Sequence, residues 1–175
     1  LLFQKYALKS TMSMKTSRNK KIIHRLTHVA KNCEESVFQK NKEYVKLKAE
    51  KNISTSEIAL MLDGLSFDFL EERIYWIKRG LKEKVCDKKQ RYLFHVGLVF
   101  IYNKLKEYEL VLEYGKNPME WSDSVQKNLL RDYKLIQCML AACKGLKRFE
   151  ESIGYEKEGI KIMVKSYNSG ESLRK

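Results

Sequence analysis

Two histidines and a cysteine in the first third of the chain have the residue types of a metal site. His24 and His28 lie four residues apart on a predicted helix, and Cys33 follows them. Residues at positions i and i+4 share one face of a helix, so the two imidazoles could bind one metal ion. The segment is strongly basic, however, and no carboxylate lies on the same turn. We therefore interpret the pair as surface histidines and predict no metal site.

Other residues with catalytic potential do not form a recognisable pattern. His95 lies within an apolar helical segment, which favours a packed or hydrogen-bonded histidine over a general base. The sequence contains no nucleophile elbow, phosphate-binding loop, zinc-protease motif or dinucleotide-binding glycine pattern. We therefore expect a protein that is not an enzyme and that uses no cofactor.

The cysteines and the hydropathy favour a cytoplasmic protein. The four cysteines are scattered without a CxxC motif, as is typical of reduced thiols. Cys138 and Cys143 are five residues apart in one predicted helix, which places them on different faces. No apolar run approaches the length of a transmembrane helix.

Charge is distributed unevenly along the chain, whose formal net charge is +13. Residues 1–52 contain 13 Lys and Arg against 4 acidic residues, whereas residues 53–175 contain 22 against 18. Within the basic part, Arg18, Lys20, Lys21 and Arg25 are the candidate contacts to an anion, because clustered cations neutralise phosphates without reading sequence. These residues could equally form the solvated face of a docked helix. Nucleic-acid binding through this part remains the alternative function.

A segment that resembles a helix-turn-helix offers a second route to DNA. Ser54 and Glu57 have the spacing of a capping box, and Gly64 could form the turn. The following helix would begin near Phe67 and carries Asp68 and acidic neighbours at the end that should meet DNA. Because these acids would repel phosphates, the interpretation as part of a helical repeat is favoured.

The chain as a whole has the composition of an all-α protein. It has a single proline and eight glycines, and it is rich in residues that form helices. Residues 20–30 and 34–51 each show apolar residues at helical spacing. We predict a basic helical extension over residues 1–52, a helical repeat domain over residues 53–168 and a polar tail over residues 169–175.

A repeat of 41 residues organises the second region. Phe67, Tyr108 and Phe149 are separated by 41 residues each time, and an acidic residue follows each of them. Apolar residues recur nine and fourteen positions before each aromatic, at Ile58, Val99 and Leu140 and at Ile53, Phe94 and Leu135. This pattern predicts about three helical hairpins with turns near residues 65, 106 and 147. The aromatic should begin the returning helix and lie buried against the preceding one. Since neither helix buries its apolar face alone, successive hairpins should stack.

The turns of this repeat resemble those of tetratricopeptide repeats. The resemblance rests on residues 102–114, with the sequence YNKLKEYELVLEY, and on residues 142–155, with the sequence ACKGLKRFEESIGY. In both, a leucine precedes an aromatic-acidic pair, as in that family. It implies an α-solenoid of stacked antiparallel hairpins (TPR-like) over residues 53–165. HEAT-like helix pairs, whose repeat length is closer to 41, are the competing interpretation.

The resemblance implies a regulatory module that binds a protein or peptide. In style the chain is similar to peptide-pheromone receptors of low-GC Gram-positive bacteria. Residues 57–59, 90–91 and 105–108 are similar to the first repeat of the TPR-like adaptor of mitochondrial fission. Aromatic side chains often anchor such interfaces. We therefore predict a partner-binding surface from the dense aromatic region, formed by Tyr92, Tyr102, Tyr114, Trp121 and Tyr133.

Overall fold

The computed structural model describes residues 18–121 and 128–170, with the backbone alone for residues 119–121. All regular secondary structure in these ranges is helical, which confirms the predicted all-α class. The helices are α1 (18–30), α2 (Glu35–Gln39), α3 (Lys42–Ala49), α4 (Thr55–Gly64), α5 (Leu70–Lys82), α6 (Lys88–Leu105), α7 (Tyr108–Trp121), α8 (Leu129–Gly145) and α9 (Phe149–Ser169).

The chain forms two compact units that divide between Cys86 and Asp87. Helices α4 and α5 lie in the first unit, with the amino-terminal helices. The domain boundary predicted after residue 52 stays a prediction. Aromatic packing holds α5 in the first unit. Tyr44 on α3 contacts Phe38 on α2, with ring centroids 4.4 Å apart, and packs edge-on against Trp76 on α5. All three rings are fully buried, so α5 completes the core of the first unit.

A close helix contact also joins α1 to α4. A Cβ added to Gly64 would lie 1.8 Å from Cγ2 of Thr27, which is too close for any side chain larger than hydrogen. The start of α4 has the predicted capping box, because the Ser54 hydroxyl accepts from the backbone of Glu57 while the Glu57 carboxylate accepts from the backbone of Ser54. Gly64 and the capping box together fix where α4 begins and how closely it approaches α1.

The second unit consists of two helical hairpins, α6–α7 and α8–α9. Helix α8 packs against α7 and α6, so the hairpins are stacked. The interior is formed by apolar residues of α6, α7 and α8, among them Leu98, Val99, Leu112, Ile136 and Met139. This unit holds the second and third copies of the 41-residue repeat.

The two hairpin turns of this unit have the same backbone geometry. Lys106 and Lys147 adopt left-handed conformations, with φ of 61° and 58°. In each turn the next residue donates its N–H five residues back, from Glu107 to Tyr102 at 2.9 Å and from Arg148 to Cys143 at 2.8 Å. This is the Schellman arrangement, which satisfies carbonyls at a helix end. The predicted turn positions near residues 106 and 147 are confirmed.

The first copy of the repeat turns differently. Helix α4 ends at the predicted position, but Leu65 has an extended backbone, and Nη1 of Arg73 donates to the carbonyls of Leu62 and Leu65 at 2.9 and 3.0 Å. The helix end is therefore satisfied by a side chain of α5. Helix α5 begins at Leu70, and Phe67 lies in the turn before it.

The aromatic repeat positions are consequently confirmed only in part. Tyr108 and Phe149 begin α7 and α9, as predicted, whereas Phe67 does not begin a helix. The predicted burial is wrong for Phe67 and Phe149, which are 54% and 63% exposed. Tyr108 is half-buried because its ring lies against Gly145 of α8, where an added Cβ would be 2.2 Å from Cε2 of the ring.

Candidate partner-binding surface

The five aromatic residues predicted to bind a partner lie on α6, α7 and α8. Tyr92 and Tyr102 are buried, and the ring of Tyr102 stacks on Tyr114 with centroids 5.6 Å apart. Tyr114 and Tyr133 are half-buried, while Trp121 ends α7 with a side chain outside the described residues. Tyr92 and Tyr102 therefore stabilise the hairpins themselves. A binding role for Tyr114, Trp121 and Tyr133 stays a prediction.

A buried polar contact joins α6 to α8. The hydroxyl of Tyr92 donates to the carboxylate of Asp132, and both residues are buried. Burial, followed by the hydrogen bond to Asp132 and its charge, raises the pKa of Tyr92. The phenol of Tyr92 thus stays neutral at neutral pH, and the hydrogen bond joins the first helices of the two hairpins.

His95 confirms the prediction of a packed histidine. It is buried on α6, its Nδ1 lies 3.3 Å from the carbonyl oxygen of Tyr114, and the two rings are in contact. Burial lowers the pKa of His95, although the contact with the Tyr114 carbonyl opposes that effect. The imidazole is therefore neutral near pH 7 and joins α6 to α7.

The four basic residues predicted to contact an anion lie on α1. Arg18, Lys20 and Lys21 are exposed. Arg25 instead pairs with Glu43 on α3, through Nη2 to Oε1 at 2.7 Å and Nε to Oε2 at 3.2 Å. The positive charge of Arg25 is thus shared with a carboxylate, whereas the other three side chains face solvent.

A cleft of about 190 Å³ lies beside these residues, between α1 and α3. Asn19 at its edge is buried, and its Nδ2 has no hydrogen-bond partner in the part of the chain that the structure describes. The lining carries both charges, from Arg18 and Lys46 and from Glu43 and Glu50. A water molecule would satisfy the amide. The mixed lining does not select a class of ligand.

His24 and His28 are both exposed on α1. Within residues 18–121 and 128–170, no three His, Cys, Asp or Glu side chains converge as metal ligands. None of the helices in those ranges has the length and apolar character needed to cross a bilayer.

A different surface is the most prominent open apolar feature of the second unit. Six large side chains of α9 project from one side of the helix, with exposed fractions between 43% and 88%. We call them the α9 stripe: Phe149, Ile153, Ile160, Met163, Val164 and Tyr167. At 3.6 residues per turn they fall within about 100° of the helix circumference and extend over roughly 27 Å. Exposed apolar side chains that are grouped on one surface, unlike single scattered ones, mark interaction sites.

A neighbouring face of α9, centred roughly 120° around the helix from the stripe, holds the helix on α8. Gly159, Ile162 and Ser166 are buried, and a Cβ added to Gly159 would lie 3.4 Å from Ile136 on α8. Helix α9 therefore has two contact faces, of which only one is covered among the described residues. The α9 stripe is the other.

Charged side chains flank the stripe asymmetrically. Lys157, Lys161 and Lys165 follow one another at four-residue spacing, and all three are exposed. At 100° per residue they lie about 80°, 120° and 160° around the helix from Phe149, so that Lys157 borders the stripe and the row turns away from it. Lys161 pairs with Glu158 at 2.9 Å. Glu156 is exposed and lies within the angular range of the stripe itself. The stripe can thus bury apolar side chains, with Lys157 at its border and Glu156 within it.

No family model, curated protein or solved structure matches this chain.

Sequence reasoning missed the α9 stripe. The signal that could have found it is the number of apolar positions in residues 149–169, which exceeds what one helix face can hold. Apolar residues at 153, 160, 164 and 167 form one helical series, and those at 155, 159 and 162 form another. Two such series on one helix indicate two contact faces.

Proposed function

We propose that this protein is a regulatory, protein- or peptide-binding module built on TPR-like helical repeats, and that the α9 stripe is its main binding surface. The observation that carries the proposal is the exposure of six large apolar side chains along one face of α9. Leaving them in water costs free energy, which a partner recovers by covering them. The Schellman turns at Lys106 and Lys147 support the repeat architecture, since they recur at the period found in the sequence.

Cross-linking through the stripe tests this function. A photoreactive amino acid at position 160 would capture the natural partner, which mass spectrometry would identify. The affinity of that purified partner would then be measured for the wild type and for Ile153→Ser/Ile160→Ser. Removing two apolar contacts of about 1 kcal/mol or more each should weaken binding at least about tenfold.

A matched control uses exposed apolar residues elsewhere. Val37 and Val45 are 58% and 52% exposed in the first unit, so Val37→Ser/Val45→Ser removes comparable surface. This variant should bind as the wild type does. Equal weakening by the two double variants would argue against the α9 stripe as the binding surface.

Contact with nucleic acid is the second candidate function, and the exposure of Arg18, Lys20 and Lys21 on α1 favours it. Such contacts would be insensitive to sequence and strongly dependent on salt. Titration of nonspecific duplex DNA at two salt concentrations distinguishes this function from protein binding at α9.

A further inference from the structure

We infer that His95 of α6 is a conformational latch for the carboxyl-terminal part of α7, because its imidazole supplies the hydrogen-bond donor that Pro118 removes from that helix. When the latch is lost, residues 115–121 detach locally, before the rest of the second unit unfolds. The inference concerns the hairpin α6–α7 and does not depend on the function proposed for the α9 stripe.

Pro118 lies inside α7 and is buried. Proline has no backbone N–H, so it cannot donate to the carbonyl four residues before it, and its ring also crowds that carbonyl. In α7 this carbonyl belongs to Tyr114. The connection between residues 108–114 and residues 115–121 therefore lacks one of the hydrogen bonds that a regular helix would have there.

A donor for this carbonyl comes from the neighbouring helix. Nδ1 of His95 lies 3.3 Å from the carbonyl oxygen of Tyr114, and the two ring centroids are 5.8 Å apart. Because a carbonyl oxygen can only accept a hydrogen bond, Nδ1 carries the proton and donates. A carbonyl that is shielded from water and lacks a donor costs free energy, so the imidazole stabilises α7 where the proline weakens it.

The surroundings of His95 keep its ring in this position. The side chain is buried, and the ring of Tyr114 that it contacts also stacks on Tyr102 of α6, with centroids 5.6 Å apart. Burial lowers the pKa of His95, so the imidazole carries a single N–H at neutral pH. The hydrogen bond to Tyr114 requires that this N–H is on Nδ1, which fixes the tautomer of the ring.

The segment held by the latch takes part in the stacking of the two hairpins. Gly115 directly follows Tyr114, and it approaches Met139 of α8 so closely that an added Cβ would lie 2.0 Å from Sδ. Met139 is fully buried. Movement of residues 115–121 away from the hairpin would therefore open the contact between α7 and α8. His95 thus links the conformation of α7 to the stacking of the second hairpin on the first.

A double-mutant cycle tests the latch. His95→Phe keeps a ring but removes the donor, whereas Pro118→Ala restores an N–H that can donate to the Tyr114 carbonyl. His95→Phe alone should accelerate hydrogen exchange in residues 115–121 by about tenfold or more, and by less in α9. In the Pro118→Ala background the same substitution should accelerate this exchange by about threefold or less. Mass spectrometry of peptides from the whole chain measures the exchange.

A matched control uses another buried hydrogen bond of α6. Tyr92→Phe removes the donor to Asp132 of α8, which has no direct connection to Pro118. Its effect on exchange in residues 115–121 should be the same with proline and with alanine at position 118. The control thus separates loss of the latch from general weakening of the second unit.

The tautomer of His95 provides a second measurement, which needs no change at the latch. His24→Gln/His28→Gln alters two exposed positions and leaves His95 as the single histidine of the chain. The ¹⁵N chemical shifts of its imidazole at neutral pH should show a protonated Nδ1 and an unprotonated Nε2. A histidine that merely fills space would have no reason to adopt this tautomer.

The outcomes decide the inference in either direction. A smaller effect of His95→Phe in the Pro118→Ala background, together with a protonated Nδ1, supports the latch. Equal effects of His95→Phe in the two backgrounds, a uniform rise of exchange throughout α6–α9, or a proton on Nε2 would each overturn it. If His95→Phe does not fold, the tautomer in the variant with a single histidine decides the question.

Discussion

Lys106 and Lys147, which lie 41 residues apart in the sequence, end α6 and α8 in the same left-handed conformation. They are the two non-glycine residues with positive φ in the described ranges. Both turns also share a second hydrogen bond, in which the lysine N–H donates three residues back, to Asn103 at 3.1 Å and to Lys144 at 3.2 Å. Residues with a Cβ disfavour the left-handed conformation. Its recurrence at both positions therefore indicates that the two repeat copies share a backbone turn as well as the spacing of their apolar residues.

Replacing either lysine with glycine should stabilise the second unit. The left-handed conformation costs a residue with a Cβ roughly 1–2 kcal/mol, and the extra freedom of glycine in the unfolded chain offsets about half of that gain. We expect Lys106→Gly and Lys147→Gly each to raise the free energy of unfolding by about 0.5–1 kcal/mol, measured by urea denaturation. Lys106→Ala and Lys147→Ala keep the strain and should give no gain. Equal changes in the free energy of unfolding for the glycine and alanine variants would contradict a contribution from strain in the left-handed backbone.

The contact between Tyr108 and Gly145 should not tolerate a methyl group. A Cβ on Gly145 would lie 2.2 and 2.4 Å from two ring carbons of Tyr108, so the ring or α8 must move. Overpacking of this kind costs about 1–3 kcal/mol, and the better helix propensity of alanine offsets up to about 1 kcal/mol. Gly145→Ala should therefore lower the midpoint of thermal unfolding. Gly154→Ala on α9, where nothing lies within 4 Å of the added Cβ, is the control and should raise it.

The sequence predicted those features that depend on local chemistry. The capping box of Ser54 and Glu57 and the turns near residues 65, 106 and 147 were found, because caps and periodicity are encoded within a few residues. The sequence did not predict that Phe67 lies in the turn before α5. Arg73, eight residues beyond Leu65, satisfies the end of α4, and a guanidinium that reaches back across a turn leaves no local pattern.

Burial was the feature that the sequence could not assign. The aromatic density around Tyr92 and Tyr102 suggested a binding surface, yet both side chains are buried. Phe149 was expected to be buried, yet it is exposed on α9. Periodicity shows that a helix has an apolar face, but only the neighbouring helices determine whether that face is covered. The candidate binding surface on α9 is therefore identified by which side chains the packed helices leave exposed, and not by the sequence pattern.

A buried network in the first unit should be sensitive to the loss of one hydroxyl. The Tyr44 hydroxyl donates to the Glu72 carboxylate and accepts from Nε1 of Trp76 at 2.9 Å, while Lys48 Nζ lies 3.0 Å from the same carboxylate. Tyr44→Phe leaves the Trp76 donor and one carboxylate oxygen without this partner, at a cost of about 1–3 kcal/mol. Chemical denaturation should detect the loss. Tyr167→Phe, at an 88% exposed tyrosine, is the control and should leave stability unchanged.

Stability should fall at alkaline pH because of the buried tyrosines. Burial first, and neighbouring carboxylates second, raise the pKa values of Tyr44 and Tyr92, and burial and Glu151 raise the pKa of Tyr155 to about 12. Tyrosines in the unfolded chain ionise near pH 10, so above that pH the folded state holds more protons than the unfolded state. The stabilisation is complete below about pH 10 and is lost as the pH rises towards the folded pKa values.

Substitution of Tyr155 shows how much of the alkaline loss of stability comes from that residue. Each tyrosine contributes at most about 1.4 kcal/mol per pH unit to the fall in the free energy of unfolding, and less where solvent screens it. Tyr155→Phe should therefore flatten the decline between about pH 10 and 12 relative to Tyr167→Phe. Parallel pH profiles for the two variants would contradict the elevated pKa of Tyr155.

The exposed cations of α1 should act as an accessory contact. We expect Arg18→Ser/Lys20→Ser/Lys21→Ser to weaken binding to nonspecific duplex DNA and to reduce the salt dependence of that binding. Each lost phosphate contact removes about 0.9 from the slope of log K against log salt concentration, so the slope should fall by up to about 3. Arg25 is left in place because its removal would deprive Glu43 of its partner. Lys40→Ser/Lys42→Ser/Lys84→Ser removes equal charge from other exposed positions and should have a smaller effect. The affinity for a partner bound at the α9 stripe should stay nearly unchanged. If the α1 variant instead abolishes binding to the natural partner, the basic residues are the main site and nucleic-acid binding becomes the leading function.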